Sequence, residues 1–175
     1  MFGPDDEEYL DEFEDEPQEI RRAIFDDQIG VLGPAEAICL REGATVGEAV
    51  ERMLSRRQAG VLIVDAEGRL IGIFTERDVL TRVVGARRDP EQTRLAEVMT
   101  RNPEALTATH RIAFAVHCMS VAGYRTVPLV DADGRPIGVV TVSDVIHWLA
   151  GLFPEAVLNL PPGDTIKNPH EIDAG

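Results

Sequence analysis

The sequence pairs with itself. Sliding the chain by 66 residues lays AVERMLSRRQAGVLIVDAEGRLIGIFTERDVL (49–80) over AVHCMSVAGYRTVPLVDADGRPIGVVTVSDVI (115–146). Identities include Val61/Val127, Asp65/Asp131, Gly68/Gly134, Gly72/Gly138, Thr75/Thr141 and Asp78/Asp144. A long period with only two copies points to a duplicated supersecondary unit whose copies pack on each other, not to an open-ended array.

The same order of elements follows from local signals in each copy. Thr45-Val-Gly-Glu48 has the form of a capping box, and Val46, Ala49, Val50, Met53 and Leu54 follow at helical spacing, predicting a helix to about Arg57. Val61–Val64 reads as a buried strand, Asp65-Ala-Glu-Gly68 as a turn, and Leu70–Phe74 as an antiparallel strand. A helix from Glu76 to Val84 closes the unit. The second copy predicts a helix over 113–121, strands over 127–130 and 137–140, and a helix over 142–150. Short extended lead-ins precede the copies, at 37–40 and 104–106. The fold class is therefore α+β: two helix-strand-strand-helix units, each with its sheet covered by helices on one side. The uncovered sheet faces are expected to pack together about a pseudo-two-fold axis, leaving clefts between the copies at strand ends and helix starts.

Composition narrows the function. The 175 residues carry a net charge of −14, but ten of the 31 acids lie in residues 1–19, which contain no Lys or Arg. That block reads as a solvated tail, or as a docking arm through Phe2, Tyr9, Leu10 and Phe13. Such a charge disfavours nucleic acid, whose phosphates require clustered cations. No run of about eighteen apolar residues and no basic-then-apolar start is present, so a cytoplasmic chain with no membrane span is expected. Cys39 and Cys118 lie in apolar segments far apart and read as buried free thiols. The four histidines form no constellation, no metal set can be assembled, and no nucleophile has a base beside it, so an enzyme is not expected. Trp148 and Phe153, with Leu149 and Leu152, read as a packing or dimer face, and 152–162 as an apolar arm.

The duplicated G-h-h-T-x-x-D (GIFTERD, 72–78; GVVTVSD, 138–144), the V-M-T-x-N-P linker at 98–103 and the YRTVPLVD strand at 124–131 together resemble a tandem pair of CBS domains, the Bateman module. The resemblance covers residues 33–151. It divides the chain into an acidic segment (1–32), repeat 1 (33–92), repeat 2 (93–151) and a C-terminal arm and tail (152–175). It implies a stand-alone regulatory module that binds AMP, ADP, ATP or S-adenosylmethionine between its repeats, needs no other cofactor, forms a homodimer through its helices and signals to an unidentified protein partner. The site residues it implies form two sets. Thr75 and Asp78 join Asn102, Glu104, Ala105, Leu106, Arg125, Thr126 and Pro128 in the first. Thr141 and Asp144 join the 37–40 lead-in and Ala59, Gly60 and Val61 in the second.

The chemistry suits those roles. A carboxylate at a helix start can accept from ribose hydroxyls, Gly72 and Gly138 would leave room for the sugar, and the threonine hydroxyls and helix amides can donate to phosphate. By the resemblance, only the first set has an arginine, Arg125, at the family's phosphate-facing place, where the second has Ala59, so the first is expected to prefer the phosphorylated ligand. The plainer readings are that Thr and Asp are caps alone, that Arg125 pairs with a surface acid, that Pro128 marks an edge strand, and that the module is a dimerisation scaffold with vestigial clefts.

Overall fold

The computed structural model describes the backbone from Glu16 to Leu152 and side chains from Ile20. The aromatic residues of the acidic tail, Phe153, and the arm and tail beyond Leu152 lie outside the described residues. The elements are α1 (Glu16–Asp26), a 3₁₀ turn (Ile29–Leu32), β1 (Cys39–Arg41), α2 (Val46–Arg56), β2 (Gly60–Val64), β3 (Leu70–Thr75), a short α3 (Glu76–Asp78), a π turn (Val79–Val84), α4 (Leu95–Val98), β4 (Thr100–Arg101), α5 (Ile112–Val121), β5 (Thr126–Val130), β6 (Pro136–Thr141) and α6 (Val142–Leu152).

The predicted helices over 45–57, 113–121 and 142–150 and both hairpins form, whereas the helix expected over 76–84 is a single α turn (Glu76–Asp78) continued as a π turn (Val79–Val84). Thr45 caps α2 by accepting from the Glu48 amide at 3.1 Å, and Arg57 ends it in the left-handed region. β2 pairs antiparallel with β3, and β5 with β6, with an irregularity at Ile63/Val64 in one hairpin and at Leu129/Val130 in the other, 66 residues apart. The turns match as well. Asp65 Oδ1 accepts from the Glu67 and Arg69 amides, Asp131 Oδ1 accepts from those of Asp133 and Arg135, and Gly68 and Gly134 sit at positive φ.

The lead-ins also correspond. Leu40 runs parallel beside Ile63, and Leu106 parallel beside Leu129. The outer edges are exchanged between repeats. β4, near the start of repeat 2, pairs with β3 through Gly72↔Arg101 and Ile73↔Thr100, while Ala35, at the start of repeat 1, bridges to Val139 of β6. Each repeat is thus edged by the opening segment of the other.

This exchange fixes the role of the two motif glycines. A Cβ on Gly72 would run into the Met99 thioether, and one on Gly138 would stand 3.0 Å from the Ala35 carbonyl. The expectation that they leave room for a sugar is corrected: their open sides are filled by the crossing edges, whose backbones could not approach past a side chain.

Two cores result. Phe74, Val61 and Ile63 pack with Val46, Ala49, Met53 and Val83 in repeat 1, joined by Leu95, Val98 and Met99 of the linker. Val127, Leu129 and Val140 pack with Ala115, Cys118 and Leu106 in repeat 2, joined by Ile29 from the N-terminal segment. Leu62, Ile73 and Val139 meet between the repeats, so the open sheet faces do close on each other. The described part of the 1–32 segment lies on repeat 2: α1 packs on α5, the Ile29 amide donates to the His110 carbonyl at 2.8 Å, and Arg111 donates to the Asp26 carbonyl. Cys118 is buried as expected. Cys39 is exposed, because β1 lies at a sheet edge with only its central residue partly covered. No helix of the described residues is long and apolar enough to cross a membrane.

Candidate functional site

A cleft of about 520 Å³ opens where the end of β3 and the start of α3 face the linker and the start of β5. From repeat 1 it is lined by Ala59, Thr75, Asp78 and the face of the following turn. From the other side come Thr100, Pro103, Glu104, Tyr124, Arg125, Thr126 and Pro128. Its volume falls within the range of roughly 300–1,000 Å³ usual for small-molecule sites.

The floor of the cleft is the cap of α3. Asp78 Oδ2 accepts from the Thr75 amide at 2.9 Å and from the Thr75 hydroxyl at 2.8 Å, and Oδ1 faces Arg82 Nε at 3.2 Å. Asp78 is a buried charged residue, held by the hydrogen bonds and the ion pair that such burial requires. The hydroxyl proton of Thr75 therefore goes to its own carboxylate and not outward, which corrects the expectation of a threonine donor for phosphate. Thr141 repeats this on Asp144 at 2.7 Å from the amide and 2.8 Å from the hydroxyl.

Three acids, Glu76, Asp78 and Glu104, and three bases, Arg77, Arg82 and Arg125, line the cleft. Among the described residues Arg125 makes no ion pair. The plainer reading, in which it pairs with a surface acid, therefore finds no partner there. A cleft with cations and a capped carboxylate can hold an anionic group at one end and hydroxyls at the other.

Of the first set, Thr75, Asp78, Glu104, Arg125, Thr126 and Pro128 do meet in the cleft. The rest do not line it. Leu106 is buried in the repeat 2 core. Asn102 is exposed on the linker in the left-handed region, with its amide bound to the Ile71 carbonyl, and Ala105 follows without reaching the cleft wall. In the second set Ala59 is displaced. It lines the cleft of Thr75, because Gly60 pairs with Thr75 across the hairpin and the Ala59 carbonyl accepts from the Glu76 amide. Val61 is fully buried in the repeat 1 core, so its side chain cannot face Thr141 and Asp144. Sequence reasoning missed Tyr124, Arg77 and Arg82. Arg82 could have been found from its place four residues after Asp78 on one helical face.

The comparisons with known proteins agree with this architecture. The CBS domain profile matches residues 35–85 and again residues 95–151. The chain belongs to the CBS domain family. It is 34% identical over 113 residues to the CBS domain-containing protein CBSCBSPB2 of Arabidopsis thaliana, an alignment covering 65% of this chain and 21% of that protein. The chain thus spans about a fifth of the length of the curated relatives it matches first. Among solved structures, the CBS domain pair of protein MJ0100, in complex with 5′-methylthioadenosine and S-adenosyl-L-methionine, superposes with a TM-score of 0.65 at 23% identity, covering 72% of this chain and 98% of that one. CBSX2 in complex with AMP superposes with a TM-score of 0.60 at 18% identity, covering 71% and 97%. At these identities the structural likeness establishes the shared fold.

Proposed function

We propose that this CBS pair is a regulatory module that takes an adenosine-containing ligand, AMP, ADP, ATP or S-adenosylmethionine, in the cleft between its repeats and passes its occupancy to a partner protein. The observation that carries the reading is the juxtaposition, in one cleft, of the capped Asp78 carboxylate from repeat 1 and Arg125 from repeat 2. Asp78 accepts from the ribose and Arg125 faces the phosphate, while Tyr124 offers an aromatic surface to the base. Because the walls come from both repeats, a ligand that binds one relative arrangement of them better shifts the pair toward it. The solved CBS pairs that carry 5′-methylthioadenosine, S-adenosyl-L-methionine or AMP support the ligand class.

A second reading is supported by the helices. α6 has no buried residue, and Phe114, Val121 and Ile146 are exposed apolar residues on α5 and α6. These faces suit a homodimer, and a scaffold that only dimerises would need Thr75 and Asp78 as a cap and nothing more.

A thermal-shift panel on nucleotide-stripped protein separates the two. A ligand at about 100 times its dissociation constant adds roughly 2.7 kcal/mol to the native state, which raises the melting temperature by several degrees, at about 2–4 °C per kcal/mol. An adenine-specific rise, absent with guanine nucleotides, supports the sensor. A flat panel at millimolar ligand supports the scaffold.

A further inference from the structure

We propose that Arg82 is a positioning residue of the cleft: paired with the Asp78 carboxylate and bound to the Val98 carbonyl, it holds that carboxylate so that Oδ1 is presented to the sugar. The inference rests on the reading of the cleft as an adenosine site and adds a residue that neither the duplicated motif nor the phosphate contact requires.

The geometry is two-ended. Arg82 Nε lies 3.2 Å from Asp78 Oδ1, and Arg82 Nη1 donates to the Val98 carbonyl at 2.7 Å. An ionised carboxylate offers about four acceptor directions. Thr75 takes two of them, both on Oδ2, through its amide and hydroxyl, while the Arg82 guanidinium lies against Oδ1 as an ion pair. The carboxylate is therefore held by hydrogen bonds on Oδ2 and by the guanidinium charge beside Oδ1, and Oδ1 remains to accept from a ligand hydroxyl. The Val98 end matters as much: Val98 closes α4, and the chain runs from there through β4 into Pro103 and Glu104 on the far wall. One side chain ties the floor of the cleft to the strand that leads to its opposite wall.

Two further features single out this residue. Arg82 sits in the π turn, where the Gly85 amide reaches back to the Leu80 carbonyl at 2.9 Å, and a Cβ on Gly85 would stand 3.1 Å from the Leu80 and Thr81 carbonyls. Widened turns of this kind are frequent at functional positions. At the matching position of repeat 2 the residue is Trp148, α6 is an ordinary helix, and among the described residues no arginine reaches Asp144. The clamp belongs to one repeat only.

The test is calorimetric titration of the full, nucleotide-stripped chain, as wild type, Arg82→Met and Arg82→Gln, with AMP and ATP and with the 2′-deoxy and 3′-deoxy forms of each. Unligated melting curves report whether each variant is folded, and Arg82→Gln, which keeps polarity and can reach one partner but not both, serves if Arg82→Met is not. The wild type is expected to prefer the ribose form over at least one deoxy form by about tenfold or more, the worth of one hydrogen bond to a charged acceptor. In the folded variants that preference should fall to within about threefold, with the deoxy forms binding nearly as they do to wild type. A variant that keeps the full ribose preference overturns the inference. So does one that loses affinity equally for ribose and deoxyribose ligands, which would make Arg82 a phosphate contact or a purely structural residue. A wild type that binds none of these nucleotides, nor S-adenosylmethionine titrated beside them, overturns the adenosine reading itself, and the clamp with it.

Discussion

The two repeats share individual hydrogen bonds and part company one helix later. Thr75 and Thr141 close on Asp78 and Asp144 with nearly the same lengths, and both hairpins carry the same Asp-centred turn. After the cap, repeat 1 runs into a π turn whose Val83 is buried and whose Arg82 returns to Asp78. Repeat 2 runs into an uninterrupted α-helix whose residues are at most half-buried. Duplication preserved the part of the motif that folding requires, since every helix start needs its amides satisfied, and left the next turn free to diverge. The cap is thus common to both copies, and what is asymmetric around it points to use. Repeat 1 also draws Leu95, Val98 and Met99 into its core, whereas repeat 2 draws Ile29 from the N-terminal segment; both leave apolar helix residues exposed, Leu54, Leu80 and Val84 in the first and Phe114, Val121 and Ile146 in the second.

The largest effect expected from breaking this comparison lies in the cores. Phe74 and Val140 occupy matching positions and are both fully buried. Phe74→Ala should cost about 3–5 kcal/mol, and Val140→Ala, which removes a smaller side chain, less. Denaturant unfolding of both variants checks the order, and equal losses would mean that the cores are not independently packed. Next come the exchanged edges. Gly72→Ala and Gly138→Ala each force a methyl against the crossing segment and should each destabilise by about 1–3 kcal/mol. Nucleotide affinity of the folded protein should be unchanged by either, since neither glycine lines the cleft.

The caps give a smaller and more pointed contrast. Loss of a cap costs about 0.5–2 kcal/mol, so Asp144→Ala should fall in that range. Asp78→Ala should exceed it in unligated melting experiments, because it also strands the Arg82 guanidinium. Equal costs would deny the ion pair any weight. The smallest effect concerns the hairpin turns. The Arg69 amide, with the Arg69 side chain adding to it, holds the Asp65 carboxyl below the ordinary carboxylate range. A carboxyl whose folded value is lowered stabilises the fold above its unfolded value, and that contribution fades as pH falls through the folded one. Asp65→Asn should therefore flatten the acid limb of the stability profile slightly. A variant with an unchanged acid limb would show that the lowered carboxyl contributes nothing measurable.

Much of this was legible in the chain. The turn residues Asp65, Gly68, Asp131 and Gly134, the capping pairs and the lead-in strands all declare themselves locally, because turns and caps are set by neighbours in sequence. The exchanged edges were not, since pairing between Ala35 and Val139 depends on how the repeats stack, and a glycine does not reveal which neighbour fills the space beside it. For the same reason Val61 and Leu106 were assigned to cleft walls they do not form, and Ala59 was not expected in the Thr75 cleft that it lines: the strands were found, but the face each side chain takes was fixed by packing. Arg82 and Tyr124 escaped because self-alignment favours positions that match, and here the copies differ, with Trp148 and Gln58 in those places.

The central claim is that repeat 1 supplies the ribose contact of an adenosine site completed by Arg125. It is tested most directly by titrating AMP and ATP into the nucleotide-stripped wild type and the Asp78→Asn, Asp144→Asn and Arg125→Ala variants. The account predicts that the high-affinity event is weakened by about tenfold or more in Asp78→Asn and in Arg125→Ala, and persists in Asp144→Asn. Binding that survives both Asp78→Asn and Arg125→Ala unchanged would contradict it.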